Sequence, residues 1–193
     1  MHSEKVDAQD SLGATALLGA GVGEQVSVTG RYDVKCLDAD GNLKWEDSIK
    51  NIVVDEGKID ILTKYFKGSS YSASFFLGLV NNASFTTYAP GDTLLSHGGW
   101  LESTAYSGTR PSVTFGTASA SGGSSNPGVA GTGSLATSSA VTFNINATVT
   151  ILGAFLCTVT SGTSGTLYSA GSFATARAVI SGDQLLVTYT AQS

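Results

Sequence analysis

The charged residues of this 193-residue chain are concentrated in its first half, and this asymmetry most constrains the fold. From Ser103 to Ser193, charge is carried by Arg110, Arg177 and Asp183, whereas the other 22 of 25 Asp, Glu, Lys and Arg residues come earlier. A free-standing soluble domain usually keeps about a quarter of its residues charged. The second half is built from Ser, Thr, Gly, Ala and Val, which suit β-strands, turns and surfaces that other protein covers. We therefore predict a β-rich building block whose back half lies in an assembly.

The charge balance also indicates which partners to expect. The formal net charge is -5, and the ten basic residues are scattered singly among acids, with no basic stripe. Binding to nucleic acid requires clustered Lys and Arg to neutralise phosphates. We therefore expect no nucleic-acid partner.

We also expect no membrane partner. The most apolar early stretch, Leu12 to Gly23, is too short and too rich in glycine to cross a bilayer. The residues before it, Met1 to Asp10, are acidic where a signal peptide would be positively charged. These features predict synthesis in the cytoplasm and an extended N-terminal arm at residues 1–23, which is either a flexible tail or a segment that lies on a neighbouring subunit.

Residues 24–193 read as a single domain made of short strands. Glu24 to Leu37 alternates apolar and polar residues, with Gly30 as a bulge or a site of close approach. Asp40-Gly41 then predicts a hairpin turn, because such turns need positive φ. Ser74 to Val80 is continuously apolar and indicates a fully buried strand. Residues 118–140 are dominated by Gly, Ser and Thr and predict a long loop.

One segment is predicted to be an amphipathic helix, at residues 55–67. Ile59, Leu62 and Phe66 follow helical spacing, and Tyr65 widens this stripe, which we expect to pack on the core. Acidic residues begin the segment and lysines end it, in agreement with the helix dipole. With eight or nine strands and turns every 8–12 residues, the fold class is mainly β: an antiparallel β-sandwich of jelly-roll type with this one short helix.

Residues that could carry chemistry do not converge on a site in the sequence. Asp38, Asp40 and Asn42 resemble the start of a calcium loop, but the rest of that pattern fails, so a plain hairpin turn is favoured over a weak calcium site. His97 has no nucleophile motif around it. Asp92 with Glu102 offers a weak candidate pair of carboxylates. We predict no enzyme activity, no cofactor and no metal site.

The two cysteines, Cys36 and Cys157, are far apart in sequence. Two buried free thiols are favoured, since free cysteine is readily buried. A disulfide between the strands that carry them is the alternative.

A set of motifs lies between Tyr32 and Tyr189, beginning with a hairpin that carries Trp45 and an Asn-Ile-Val-Val run into a helix that ends Lys-Tyr-Phe-Lys-Gly. Five further segments follow: Phe75 to Val80, Gly91 to Glu102, Tyr106 to Pro111, Ile151 to Leu156, and Gly165 to Tyr168. In these motifs the chain resembles small structural proteins of tailed bacteriophages. The resemblance implies a virion component, a head decoration or cement protein of jelly-roll type.

The leading functional hypothesis is therefore a non-enzymatic protein on the capsid exterior. It would bind the major capsid protein and its own copies, as a dimer or trimer, and so stabilise the shell. The residues predicted to make assembly contacts are Leu12, Leu17, Leu18, Val22, Trp100 and Arg110. The alternative is a receptor-binding module of a tail fibre or tip that recognises host glycans through the loop residues Tyr71 and Tyr88.

Overall fold

The protein is a sandwich of two antiparallel β-sheets, seen in a computed structural model that describes residues 28–71, 74–121 and 132–193. The described residues form twelve strands and one helix. In chain order they are β1 (Thr29–Leu37), β2 (Leu43–Lys50), β3 (Ile52–Val53), α1 (Asp55–Phe66), β4 (Phe75–Asn81), β5 (Leu101–Ser103), β6 (Ser112–Val113), β7 (Ser119–Ser121), β8 (Thr132–Ala136), β9 (Val141–Asn144), β10 (Val149–Cys157), β11 (Leu167–Val179) and β12 (Gln184–Gln192). The predicted fold, an antiparallel β-sandwich with one short helix, is confirmed.

The two sheets have the orders β2-β1-β12-β8-β7, with β9 also paired to β12, and β3-β11-β10-β4-β5, with β6 also paired to β4. We call them the first and second sheet. The first described strand, β1, pairs along its whole length with the last strand, β12, from Thr29 opposite Gln192 to Leu37 opposite Gln184. The described chain therefore enters and leaves the sandwich at the same end.

The first sheet has the alternation that its sequence predicts. Tyr32, Val34 and Cys36 are buried in the core between the sheets, and their neighbours along β1 are more exposed. The predicted hairpin turn is present, with Gly41 at φ +84°. Gly30 is a site of close approach, because a Cβ there would meet the hydroxyl of Tyr189.

The second sheet is buried on both faces, which explains its continuous apolar runs. Leu79 and Leu156 face the core between the sheets, while Val80 and Phe155 belong to a second cluster on the opposite face. That second cluster is completed by Trp100. The predicted buried strand at residues 74–80 is confirmed as β4.

The stretch predicted as loop, residues 118–140, contains two short strands, β7 and β8. β8 pairs with the end of β12, where Ala136 lies opposite Thr190 and Ser134 opposite Gln192. The segment is extended because its backbone pairs with a strand some 55 residues away in sequence. This pairing does not require apolar and polar side chains to alternate, so the sequence gives no sign of the strand.

Candidate assembly surface

The helix α1 packs on the sandwich through its smallest residue. Gly57 is buried, and a Cβ there would meet the carbonyl oxygen of Tyr168 on β11. One turn later, Ile61 packs against the main core. Glu56 adds a hydrogen bond, since its Oε2 accepts from the backbone N–H of Leu167 at 2.8 Å. The helix therefore approaches the sheet closely along the line of Gly57 and Ile61.

This docking leaves the larger apolar residues of the helix on the outside. Ile59, Leu62, Tyr65 and Phe66 are 56–81% exposed, and we call these four residues the outer helix face. The prediction that this stripe packs on the core was wrong. The bounds of the helix were right, but a glycine at the contact allows the backbone to approach the sheet, and the bulky side chains then point away from it.

Beside α1 a groove opens at the end of the sandwich where the chain enters and leaves. Its volume is about 330 Å³. Among its walls are side chains from the helix and from both sheets: Ile61, Tyr65, Phe75, Phe115, Leu135 and Ala191. We call it the end groove. Of the described residues that line it, Asp60 and Lys64 are charged and the rest are apolar or aromatic.

Trp100, predicted to make assembly contacts, is 1% exposed and lies inside the second cluster. Its indole Nε1 donates to Oδ2 of Asp92 at 2.9 Å, and the backbone N–H of Ala89 donates to the same oxygen at 3.0 Å. The ring of His97 stacks on Trp100 with centroids 4.0 Å apart. This set of residues ties the loop before β5 to the outer side of the second sheet. In the single chain, Trp100 is thus a packing residue.

Arg110, the other described residue of that prediction, is 6% exposed. Its guanidinium forms a two-pronged pair with Glu102, with Nε–Oε1 at 2.8 Å and Nη2–Oε2 at 2.7 Å. Its Nη1 donates to the carbonyl oxygen of Gly162 at 3.0 Å, and the group lies over the ring of Phe155. The hydrogen bond to Glu102 raises the pKa of Arg110 still further.

The remaining predicted contact residues, Leu12, Leu17, Leu18 and Val22, lie outside the described residues, as does the predicted arm at 1–23. The assembly role of all six residues stays a prediction. In the described part of the chain, the sequence reasoning did not identify the outer helix face as a surface. Gly57, the third residue of the helix, was the sequence signal that could have indicated this surface, because a glycine allows the helix to pack on the sheet through its small side.

The carboxylates considered for chemistry are engaged in structural contacts. Asp92 accepts from Trp100, and Glu102 pairs with Arg110, so the two do not form a free pair. Asp38 accepts from the backbone N–H groups of Asp40 and Asn42 at 2.9 and 2.8 Å, which lowers its pKa. The hairpin-turn interpretation of this segment is confirmed. Within residues 28–71, 74–121 and 132–193, no cluster of three or more His, Cys, Asp or Glu side chains could hold a metal ion.

All three charged residues of the back half are paired with charges of the front half. Arg110 pairs with Glu102, Arg177 with Asp47 at 2.6 Å, and Asp183 with Lys44 at 2.6 Å. Asp183 is almost fully buried and also accepts from the backbone N–H of Ile180.

The exposed residues of β11 in this half are small or hydroxylated, namely Ala174, Thr175 and Ala178. The back half therefore presents a surface whose few charges are satisfied within the chain.

The two cysteines are free and buried, as predicted, with Cys36 in the first sheet and Cys157 in the second. Burial raises the pKa of both thiols, that of Cys36 to about 11. Neither thiol is therefore placed or ionised as a nucleophile would be.

Comparison with protein families, curated proteins and solved structures finds no match to this chain. In the described ranges, no helix has the length and apolar character needed to span a membrane.

Proposed function

We propose that the protein is a structural component of a tailed-bacteriophage virion, which binds the capsid exterior and stabilises it as a decoration or cement protein. It would act without catalysis, through contacts with major capsid subunits and with its own copies in a dimer or trimer. The proposal rests on the resemblance described above and on two features of the fold.

The observation that carries the proposal is the internal pairing of every charge in the back half. When another protein covers a surface of small and hydroxylated side chains, the cost of desolvation is small if each of its few charges already has a partner in the chain, because no unpaired ion is buried. When many copies of such a surface bind around one shell, their individually weak contacts combine to give high avidity. This is the chemistry that a cement protein requires.

The outer helix face supplies the second support. Single exposed apolar residues are common on soluble proteins, but Ile59, Leu62, Tyr65 and Phe66 are adjacent on one helix. An amphipathic helix that offers such a stripe can insert it into a groove of another subunit. We assign this face to contact with the capsid or with a second copy.

Co-sedimentation with phage heads tests the proposal. The full chain should pellet with heads of the phage that encodes it, and heads without the protein should open at a lower temperature than heads that carry it. Leu62→Glu should weaken pelleting at least tenfold, which corresponds to about 1.4 kcal/mol.

Leu43→Glu is the matched control, because Leu43 is 55% exposed and Leu62 is 56% exposed. The control should pellet like the unmodified protein. Equal melting of heads with and without the protein would contradict the cement role. Equal loss of binding in both variants would contradict the assignment of the outer helix face to this contact.

A glycan-binding tail module is the second candidate, and Tyr71 favours it. Its ring is 56% exposed and lies 5.9 Å from Nζ of Lys64, an arrangement that could stack on a sugar. Tyr88, the other predicted stacking residue, instead packs against Phe85 and Trp100 and donates to the carbonyl oxygen of Gly171. Binding of the full chain to a glycan array, lost in Tyr71→Ala, would favour this candidate over the cement role.

A further inference from the structure

The outer helix face is bounded at its two ends by charges of opposite sign. Asp55 begins α1 and Lys67 directly follows its last residue, and both side chains are exposed. Asp55 precedes Ile59 by four residues and Leu62 by seven, so it lies on the same side of the helix. The exposed side of α1 therefore has an acidic end, an apolar middle and a basic end.

This pattern is complementary to itself when two helices run antiparallel. If two copies of α1 pack about a two-fold axis at Leu62, the acidic end of each helix lies beside the basic end of the other. Residues equally far from Leu62 then face each other, which sets Ile59 opposite Tyr65 and Lys58 opposite Phe66. The first contact is apolar, and the second places an ammonium group near an aromatic ring, which is favourable. A parallel arrangement would bring like charges together at both ends.

The area of this face is large enough for a reversible dimer. An aromatic side chain can bury about 150–250 Å². Tyr65 and Phe66 are 81% and 74% exposed, so together they offer about 230–390 Å² in each copy. Ile59 and Leu62, which are 63% and 56% exposed, raise this towards the value of about 600 Å² per partner at which specific interfaces begin. A contact at this lower limit is typical of a dimer that dissociates on dilution.

Pairing through α1 leaves the back half of the chain free to contact other proteins. The helix meets β11 near Tyr168, whereas the exposed small residues of that strand begin at Ala174. Six residues of a strand span about 20 Å. A dimer would therefore present two copies of the back-half surface to a shell, which raises its avidity.

We infer that two copies of the protein associate through the outer helix face, with their α1 helices antiparallel about a two-fold axis. A capsid subunit on this face would have to supply an acidic and a basic group at matching positions, whereas a second copy already carries both. Two-fold dimers are the commonest oligomers of soluble proteins. The inference rests on the proposed function in treating this face as an assembly surface, but its test needs no phage heads.

Analytical ultracentrifugation of the full chain, from about 1 to 100 μM, tests the inference. The unmodified protein should change reversibly from monomer to dimer over this range. Leu62→Glu should raise the dissociation constant about tenfold or more, because two carboxylates would meet at the axis. Leu43→Glu, at a residue of similar exposure on β2, should leave it unchanged. A protein that stays monomeric or forms a trimer, or a Leu62→Glu variant that dimerises like the control, would overturn the inference.

Charge reversal tests whether the helices are antiparallel. Asp55→Lys and Lys67→Asp should each weaken the dimer about threefold or more, because each brings like charges together at both ends of the pair. The double variant should recover the affinity of the unmodified protein within about twofold, since opposite charges then meet again. Within one helix the two positions are about 18 Å apart, so the recovery cannot arise inside a single copy.

Lys64 supplies the matched control for the basic end. It lies in the last turn of α1, but it donates to the carbonyl oxygen of Ser70 and lines the end groove. Asp55→Lys with Lys64→Asp should therefore recover none of the lost affinity. Equal recovery in the two double variants, or recovery in neither, would overturn the antiparallel arrangement.

Dimerisation and shell binding can fail independently of each other. A dimer in solution, with heads that melt equally with and without the protein, would support the inference and contradict the cement role. Heads that the protein stabilises, with a free protein that stays monomeric, would support the cement role and overturn the inference.

Discussion

The guanidinium of Arg177 on β11 donates to the carboxylate of Asp47 on β2, with Nη2–Oδ2 at 2.6 Å and Nε–Oδ2 at 3.2 Å. This pair joins the two sheets of the sandwich. The guanidinium also lies over the ring of Trp45, 5.6 Å from its centroid, and Trp45 meets Phe173 edge-on. An ion pair that rests on packed aromatic rings at the edge of the core connects the charged front half to the back half.

We predict that the stability contributed by this ion pair is lost in acid. The hydrogen bond from Arg177 lowers the pKa of Asp47 below its ordinary value of 3.8. A lowered folded-state pKa contributes stability above pH about 4, and this contribution is lost as the pH falls through the folded-state pKa. Asp47→Asn should therefore reduce the pH dependence of the free energy of unfolding between pH 5 and 3, by about 1 kcal/mol, because solvent screens this partly exposed pair.

Urea titrations at several pH values measure this effect. Arg177→Met removes the same pair from the other side and should flatten the pH dependence by a similar amount. A steeper pH dependence in Asp47→Asn, or no change in Arg177→Met, would show that the pair does not act in this way.

We predict a larger loss when the buried pair of Arg110 and Glu102 is broken. Arg110→Met leaves the carboxylate of Glu102 without its partner, and removal of one member of a buried pair typically costs about 3 kcal/mol or more. Because Glu102 keeps some contact with solvent, we expect about 2–3 kcal/mol in urea unfolding at pH 7.

Arg31→Met is the control, since Arg31 pairs with Asp33 on the exposed side of β1. Such a pair contributes about 0–1 kcal/mol. The double variant Arg110→Met with Glu102→Leu should recover much of the lost stability, because no unpaired charge then remains. An Arg110→Met variant as stable as Arg31→Met would refute the structural role.

The β-sandwich could be predicted because its signals are local. The alternation from Tyr32 to Cys36 and the Asp40-Gly41 turn each depend on a few adjacent residues, and both are present in the structure. The ends of α1 were also predictable within one residue, from acidic residues at its start and Gly68 after its end.

The candidate assembly surface was harder to predict because it depends on distant residues. Lys44 and Asp183 are 139 positions apart, and nothing in the sequence indicates that they pair. The orientation of α1 is set by the contact of Gly57 with Tyr168, on a strand more than 100 residues later. A stripe of Ile59, Leu62 and Phe66 has the same spacing whether it faces the core or the solvent.

A third prediction concerns the close contact between β10 and β11. Gly153 lies opposite Ser172, and a Cβ at position 153 would meet the carbonyl oxygen of Gly171. A backbone oxygen in the middle of a sheet cannot move aside as a flexible side chain would. Gly153→Ala should therefore lower the free energy of unfolding by about 3 kcal/mol, at the upper end of the cost of overpacking.

Gly91→Ala is the matched control for this change. No atom lies within 4 Å of a Cβ at Gly91. That variant should differ from the unmodified protein by about 0.5 kcal/mol or less in urea unfolding. Comparable losses in the two variants would mean that the contact of Gly153 with β11 does not limit the sheet.

A fourth prediction concerns Cys36 at alkaline pH. Burial raises the pKa of this thiol to about 11, with the nearby Asp183 adding to the effect. A raised folded-state pKa contributes stability that is fully present below the unfolded-state value of about 9 and is lost as the pH rises through 11.

Cys36→Ala should therefore lose less stability than the unmodified protein between pH 8 and pH 10.5, measured as the shift in the urea midpoint. The buried tyrosines change stability in the same direction in both proteins, so the comparison isolates the thiol. Equal shifts in the two proteins would mean that Cys36 ionises in the folded chain as readily as in the unfolded one.

In the unmodified protein at pH 8, a thiol reagent should accordingly label Cys36 no faster than the chain unfolds, since the thiol is both neutral and inaccessible.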